Sequence, residues 1–198
     1  MADTAVSPPT GDSSTPNTAD EYIHTTTHNY ISRAATIEGA RQVELKGRSV
    51  IAPQVHFHGH RAVIRVGRYC RFDTGAIVVP PTMPDTENEY IPPTIGSKTW
   101  IGANTKSQAA AIGSLCWIGR NVTLGQRVIL KDCVVIADDT VVPADTVVPP
   151  FSHIRFASQQ QQQQRLVRTE LPPASSHALE EQALEYYQSF HAEQSQEK

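Results

Sequence analysis

The 198-residue sequence contains no apolar run near the ~20 residues that a membrane-spanning helix requires. Residues 1–20 are rich in Ser, Thr, Pro and Asp and lack the hydrophobic stretch of a signal peptide, so we expect a disordered N-terminal arm. Only three cysteines occur. This odd number, with Cys70 and Cys116 at positions assigned below to the interior, favours buried thiols over disulfides. We therefore expect a cytoplasmic protein without membrane insertion.

A six-residue repeat dominates the second half of the sequence. Large aliphatic residues recur at every sixth position: Ile112, Ile118, Leu124, Leu130, Ile136, Val142 and Val148. Two positions before each stands a smaller residue: Ala110, Cys116, Val122, Val128, Val134, Thr140 and Thr146. This period fits neither an α-helix nor an isolated strand, and the alternation of large and small residues fills a triangular prism. The pattern predicts an all-β solenoid, a parallel β-helix of hexapeptide repeats with about six coils.

The repeat extends back to about residue 35, and we assign the β-helix domain to 21–156. Its earlier members are Ile37, Val43, Ser49, Val55, Val66, Phe72, Val78, Ile95 and Ile101. From Ile101 to Ile112 the spacing is one residue short of two repeats, which places Trp100 and Trp117 at equivalent positions of successive coils. Residues 80–93 break the period and are predicted to form a loop extruded from one corner.

The C-terminal region has a different pattern. The six-glutamine tract at 159–164 indicates a solvated insertion within a linker over 157–169, and its deletion is expected to cost little. The segment 170–192 is predicted to hold a capping α-helix that follows Leu171-Pro172-Pro173 and is capped by Ser175 or Ser176, with 193–198 as a tail. The apolar residues of this helix share one face: Leu179, Ala183, Tyr187 and Phe190. Because a solenoid end exposes its core, we expect this helix to fold back as a lid.

Two features of the predicted outer surface suggest protein interfaces. The formal net charge is only −3, yet residues 31–71 contain eight basic and two acidic residues. The most clustered are Arg61, Arg65, Arg68 and Arg71. Few aromatic residues accompany them, so an acidic protein surface is a better partner than nucleic acid, although a merely solvated face remains the alternative. Trp100 and Trp117 point outward by alternation and form either an interface patch or a structural pair.

Three classes of function compete for this fold: zinc enzymes like the γ-class carbonic anhydrases, hexapeptide acyltransferases and non-catalytic scaffolds. The first needs three converging imidazoles and the second a general-base histidine near a coil corner. No histidine occurs between Arg61 and Ser152, so we expect no catalytic, cofactor-binding or metal-binding residues. His56, His58 and His60 could chelate a metal from one side of a strand, but without a nearby Cys or carboxylate we interpret them as a surface stripe.

Several short motifs together resemble the dynactin subunit 5 family. They are residues 21–23, 32–33, 43–47, 63–70, 130–133 and 146–151, and the resemblance resumes at 170–172 and 186–188. It implies a left-handed coil and a scaffold at the pointed end of dynactin, in the cytoskeleton. It also implies end-to-end pairing with a sister β-helix subunit, attachment to an actin-related protein and its associated subunit, and a role in cargo selection by dynein. The long arm, the glutamine tract and His58-Gly59-His60, in place of Arg-Gly-Asp, depart from the family pattern.

Overall fold

A computed structural model describes residues 21–86, 88–157 and 165–196. The arm over 1–20 and the glutamine tract lie outside these described residues. The described chain winds into a left-handed parallel β-helix of about six coils followed by one α-helix, which confirms the predicted fold. No described helix is long and apolar enough to cross a membrane.

The strands are short because each forms one side of a triangular coil. In chain order they are β1 (Tyr22–His24), β2 (Tyr30–Ser32), β3 (Thr36–Glu38), β4 (Val43–Gly47), β5 (Val50–Ile51), β6 (His56–His58), β7 (Ile64–Arg68), β8 (Arg71–Phe72), β9 (Ile77–Val78), β10 (Thr94–Ile95), β11 (Trp100–Ile101), β12 (Lys106–Ser107), β13 (Ala111–Ile112), β14 (Trp117–Ile118), β15 (Thr123–Leu124), β16 (Ile129–Leu130), β17 (Val134–Ile136), β18 (Val141–Val142), β19 (Val147–Val148), β20 (Ser152–Ala157) and β21 (Arg165–Glu170). A short 3-10 helix, Ala40–Gln42, separates β3 from β4.

Each coil adds one strand to each of three sheets. Sheet A has the order β1-β2-β5-β8-β11-β14-β17-β20-β21, sheet B the order β18-β15-β12-β9-β6-β3, and sheet C the order β19-β16-β13-β10-β7-β4. Neighbouring strands are parallel except in the β1–β2 and β20–β21 hairpins at the two ends of sheet A. Coil 1 therefore comprises β2 to β4, and coil 6 comprises β17 to β19.

The interior confirms the predicted column of large aliphatic residues, since every member from Ile112 to Val148 is at most 3% exposed. The predicted column of small residues is confirmed only in part. Thr146 is half-buried, and Ala110 was wrongly placed inside, because Ala109 takes the buried position. The reason is where the one-residue slip falls. Ser107 pairs with Leu124, and Ile112 pairs with Leu130. The face from Ser107 to Ile112 is therefore one residue shorter than the face from Leu124 to Leu130 in the next coil.

Glycines occupy corners where successive coils approach most closely. A Cβ atom on Gly67 would lie 2.5 Å from the backbone nitrogen of Ser97, and one on Gly96 would lie 2.4 Å from that of Ser114. Contacts this short do not occur between real Cβ atoms and backbone, so any larger residue would push the coils apart.

The C-terminal helix, α1 (Ser175–Gln196), is not a lid over the solenoid end. It begins at Ser175, in agreement with the predicted cap at Ser175 or Ser176. The predicted linker over 157–169 is wrong in part, because residues 165–170 form β21 and extend sheet A. The helix then runs back along the outer face of sheet A, where the Tyr187 hydroxyl donates a hydrogen bond of 2.8 Å to the carbonyl of His28. The aromatic residues on that face offer its apolar side a better surface than the already covered end.

The two ends of the solenoid differ. At the coil 6 end the inward residues Val142 and Val148 are buried, and Leu166 of the terminal hairpin packs against the core. At the coil 1 end the inward residues are only half-buried: Ile31, Ile37, Val43 and Leu45. Within the described residues, the coil 1 end is therefore an open end of the core.

Candidate functional site

The guanidinium of Arg71 lies between two aromatic rings. It is 3.9 Å from the ring centroid of Trp100 and 3.8 Å from that of Tyr186 on α1. Asp73 accepts hydrogen bonds from Arg71 Nε at 2.5 Å and from Trp100 Nε1 at 2.8 Å. Stacked cation–aromatic contacts of this kind are stabilising when they are shielded from water. Arg71 thus fastens the helix to the solenoid and is not a free charge for a partner.

Trp100 and Trp117 stand directly opposite each other in sheet A, as the one-residue slip predicts. Their ring centroids are 4.0 Å apart. Both point outward, but they are half-buried and do not form the exposed patch that the first of the two alternatives assumed, because Tyr186 stacks over Trp100. The two indoles also line a cleft of about 280 Å³, whose polar wall carries the Arg120–Asp138 ion pair. We call this cleft the tryptophan groove.

The other three predicted interface arginines lie close to the open end. Arg65 and Arg68 are exposed on β7, which pairs with the edge strand β4. Arg65 Nε lies 3.3 Å from a carboxylate oxygen of Glu44 on β4. The guanidinium of Arg61 lies 5.4 Å from the ring centroid of Tyr90 in the extruded loop. The structure thus separates Arg71 from these three residues, which we call the basic rim: Arg61, Arg65 and Arg68.

The histidine stripe projects from the outer face of β6, since Phe57 between His56 and His58 is fully buried. Our statement that no carboxylate lies nearby is wrong, because Glu38 of coil 1 reaches all three histidines. One of its oxygens is 2.9 Å from His56 Nε2, and the other is 3.1 Å from His58 Nδ1 and 2.5 Å from His60 Nδ1. Glu38 precedes His56 by 18 residues, one coil of the repeat, and that spacing was the available signal.

The electrostatics of this cluster lower the pKa of Glu38 and the pKa of His58. Burial alone would raise the pKa of Glu38, but the hydrogen bond from His56 and the charges of the three histidines lower it overall. The pKa of His58 is also lowered, first by burial and then by the neighbouring His56. Near neutral pH Glu38 is therefore a charged carboxylate, and burial favours the neutral form of His58.

The six-residue repeat and the three parallel sheets define the class of the protein as a left-handed β-helix of hexapeptide repeats. Among solved structures, a hexapeptide transferase family protein from Anaplasma phagocytophilum is similar, with 14% identity, a TM-score of 0.51, and coverage of 83% of this chain and 92% of that chain. A structure described as an acetyltransferase from Bacillus cereus gives 13% identity, a TM-score of 0.50, and coverage of 83% and 99%. Identities this low establish the fold alone.

The family follows from the sequence comparisons. The model of the family "Dynactin subunit 5" matches residues 15–195, which include the whole solenoid and nearly all of α1. Dynactin subunit 5 of Dictyostelium discoideum is 31% identical over 95 residues, and this match spans 48% of either chain, about half the length of that relative. The chain belongs to the dynactin subunit 5 family.

Proposed function

We propose that this chain is a non-catalytic scaffold subunit of the dynactin pointed-end complex. In that role it supports dynein-driven transport along microtubules and the selection of cargo, in the cytoplasm and at the cytoskeleton. The observation that carries the proposal is the family match over residues 15–195. An activity of the acyltransferase or carbonic anhydrase type is disfavoured because the sequence has no histidine between Arg61 and Ser152, a stretch that includes all of coils 3 to 6.

The open coil 1 end supports pairing with a sister β-helix subunit. Its inward residues Ile31 and Ile37 are half-buried, and β3 and β4 are the last strands of sheets B and C. An edge strand presents unpaired backbone groups, and a partly exposed core loses part of its apolar burial. A second solenoid that stacks end to end would bury these side chains and continue the sheets. A helix or loop could cover the side chains but would not extend both sheets.

Charge at the same end specifies the partner further. The basic rim, Arg61, Arg65 and Arg68, lies beside the open end, where Glu44 pairs with Arg65. We infer an acidic surface on the sister subunit, because complementary charge raises the association rate and disfavours wrong partners. The tryptophan groove is a second proposed interface, suited to the actin-related protein and its associated subunit or to dynein cargo adaptors. No nucleic acid and no membrane insertion are part of this proposal.

Capture from native extract tests the proposal. Purified tagged protein should retain the other dynactin subunits, identified by mass spectrometry. Capture of a homotrimer alone, with no dynactin subunit, would favour an enzyme ancestry and contradict the scaffold role.

A charge-reversal pair tests the end that is used. Arg65→Glu with Arg68→Glu should lower capture of the sister subunit by about tenfold or more, because two rim charges become repulsive. The matched control is Lys106→Glu with Lys131→Glu, which makes the same charge change at exposed positions of coils 4 and 5. Equal loss in both variants would show that net charge, and not the open end, determines capture.

The tryptophan groove is tested by Trp117→Ser, because Trp117 lines the groove while Trp100 also holds the Arg71 stack. The variant should weaken capture of a dynactin component other than the sister subunit, with an unchanged circular dichroism spectrum. Unchanged capture of every subunit would leave the tryptophan pair a purely structural contact.

A further inference from the structure

The cluster of Glu38, His56, His58 and His60 has more nitrogen atoms than an ion pair uses. Three imidazoles from coil 2 converge on one carboxylate from coil 1. The rings of His56 and His58 stack with their centroids 4.0 Å apart. One protonated histidine would suffice to balance one carboxylate, and ion pairs on exposed surfaces contribute little to stability. A second and third imidazole at the same carboxylate therefore point to a ligand that several nitrogens can share.

We propose that Glu38, His56 and His58 form a binding site for a divalent transition-metal ion of the Zn²⁺ type. Their ligand atoms all lie within 4.8 Å of one another. In a tetrahedral zinc site with bonds of about 2.0 to 2.2 Å, the ligand atoms are roughly 3.3 Å apart. The observed nitrogen–oxygen distances of 2.9 and 3.1 Å are close to that separation. Small side-chain rotations would let one metal ion replace the protons that these atoms share.

The ligand set selects the class of metal. Imidazole nitrogens with one carboxylate oxygen suit zinc and its neighbours, whereas calcium and magnesium prefer sites made of oxygen atoms alone. His60 Nδ1 lies 2.5 Å from the same Glu38 oxygen as His58 and is available as a fourth ligand, in competition with water. His56 and His58 have side-chain exposures of 29% and 20%, so an ion has a path from solvent.

The position of the site gives it a structural consequence. Glu38 lies on β3, the terminal strand of sheet B, and His56 and His58 lie on β6 in the next coil. A metal ion would link the last coil of the open end to its neighbour through side chains, in addition to the backbone ladder. A ligand that binds only the folded state stabilises that state, so bound metal should reduce the fraying of coil 1.

Direct measurement of zinc binding tests the site. Full-length protein, freed of any affinity tag and treated with chelator, is dialysed against ZnCl₂, and bound zinc is counted by elemental mass spectrometry. We expect one saturable zinc ion per chain and slower amide exchange in β3 when zinc is present. Glu38→Gln and His56→Ala should each lower the affinity by at least about tenfold, a loss that even indirect supporting groups of metal sites cause. The matched control is His177→Ala, which removes an exposed histidine from α1 and should bind as the unmodified chain does.

Two results would overturn the proposal. One is the absence of a saturable zinc ion in the unmodified chain. The other is equal zinc affinity in the unmodified chain, Glu38→Gln and His56→Ala. Circular dichroism checks that the variants fold, which we expect because the side chains lie outside the core. If either variant unfolds, the effect of zinc on β3 exchange in the unmodified chain decides: protection confined to β3 and β6 supports the site, and its absence refutes it.

Discussion

The two ends of this solenoid are built from the same repeat and yet differ in what covers them. At coil 6, the β20–β21 hairpin brings Leu166 against the core, and Val142 is fully buried. At coil 1, Ile37 and Val43 remain half-buried, and β3 and β4 end their sheets. A repeat can continue without limit, so each end needs its own means of termination. At the closed end, the terminal hairpin of the chain itself covers the core. We propose that a partner subunit covers the core at the open end.

The largest expected difference between the ends is in core energetics. Ile136→Ala in coil 6 should lower the free energy of unfolding by about 2 to 5 kcal/mol, because the side chain is fully buried and leaves a cavity. Ile37→Ala in coil 1 should cost less than half as much, because that side chain already contacts solvent. Urea denaturation of both variants measures the difference. Equal losses would mean that coil 1 is as well covered as coil 6.

A second comparison concerns two arginines with different surroundings. Arg71→Ala should lower the free energy of unfolding by about 1 to 2 kcal/mol, because it removes the stack between Trp100 and Tyr186. Arg65→Ala removes only an exposed ion pair with Glu44 and should cost under about 1 kcal/mol. Thermal denaturation of both variants ranks them. The reverse order would indicate that the basic rim stabilises the fold and is not free for a partner.

Thiol reactivity should report fraying from the open end. Burial raises the pKa of Cys70 to about 11 and that of Cys116 to about 12, so at pH 8 both are neutral thiols that react only when the solenoid opens. Cys70 precedes coil 3 and Cys116 precedes coil 5. If opening starts at coil 1, an alkylating reagent should therefore modify Cys70 severalfold faster than Cys116. Peptide mass spectrometry measures the two alkylation rates. Equal rates would indicate that the solenoid opens as one unit.

The smallest effect is expected at the glutamine tract, and here the structure changes the experiment. Ala157 and Arg165 are paired in the terminal hairpin, so deletion of 159–164 would leave one residue to connect them. That deletion is expected to break the last pairs of the hairpin and so to weaken the closed end. Replacement of 159–164 by Gly and Ser at constant length should leave the melting temperature unchanged within about 1 °C, since loop composition alone contributes little. A larger shift in calorimetry would show that the glutamines contact the fold.

The local pattern of residues was enough to predict the solenoid. Each inward position is set by alternation along a short strand and by the length of a coil, which is why Leu124 and Ile136 could be assigned without coordinates. The pairing of Trp100 with Trp117 followed from the one-residue slip for the same reason. Where the slip lies within the coil did not follow, and Ala109 occupies the place assigned to Ala110, because residues 109–111 are all alanine and side-chain size does not distinguish them.

The sequence by itself determined the fold, the column of buried side chains from Ile112 to Val148 and the family. In the first two coils the predicted column was wrong at Val43, Ser49 and Val55, because Leu45, Ile51 and Phe57 align with Val66, Phe72 and Val78. Only the tertiary structure decided that α1 lies along sheet A and that Arg71 belongs to the helix contact. The physical reason is the range of the interactions. Strand alternation and corner packing act over a few residues and are repeated many times, so the sequence shows them as a period. Contacts between outer faces join residues many positions apart and occur once, so no period reveals them.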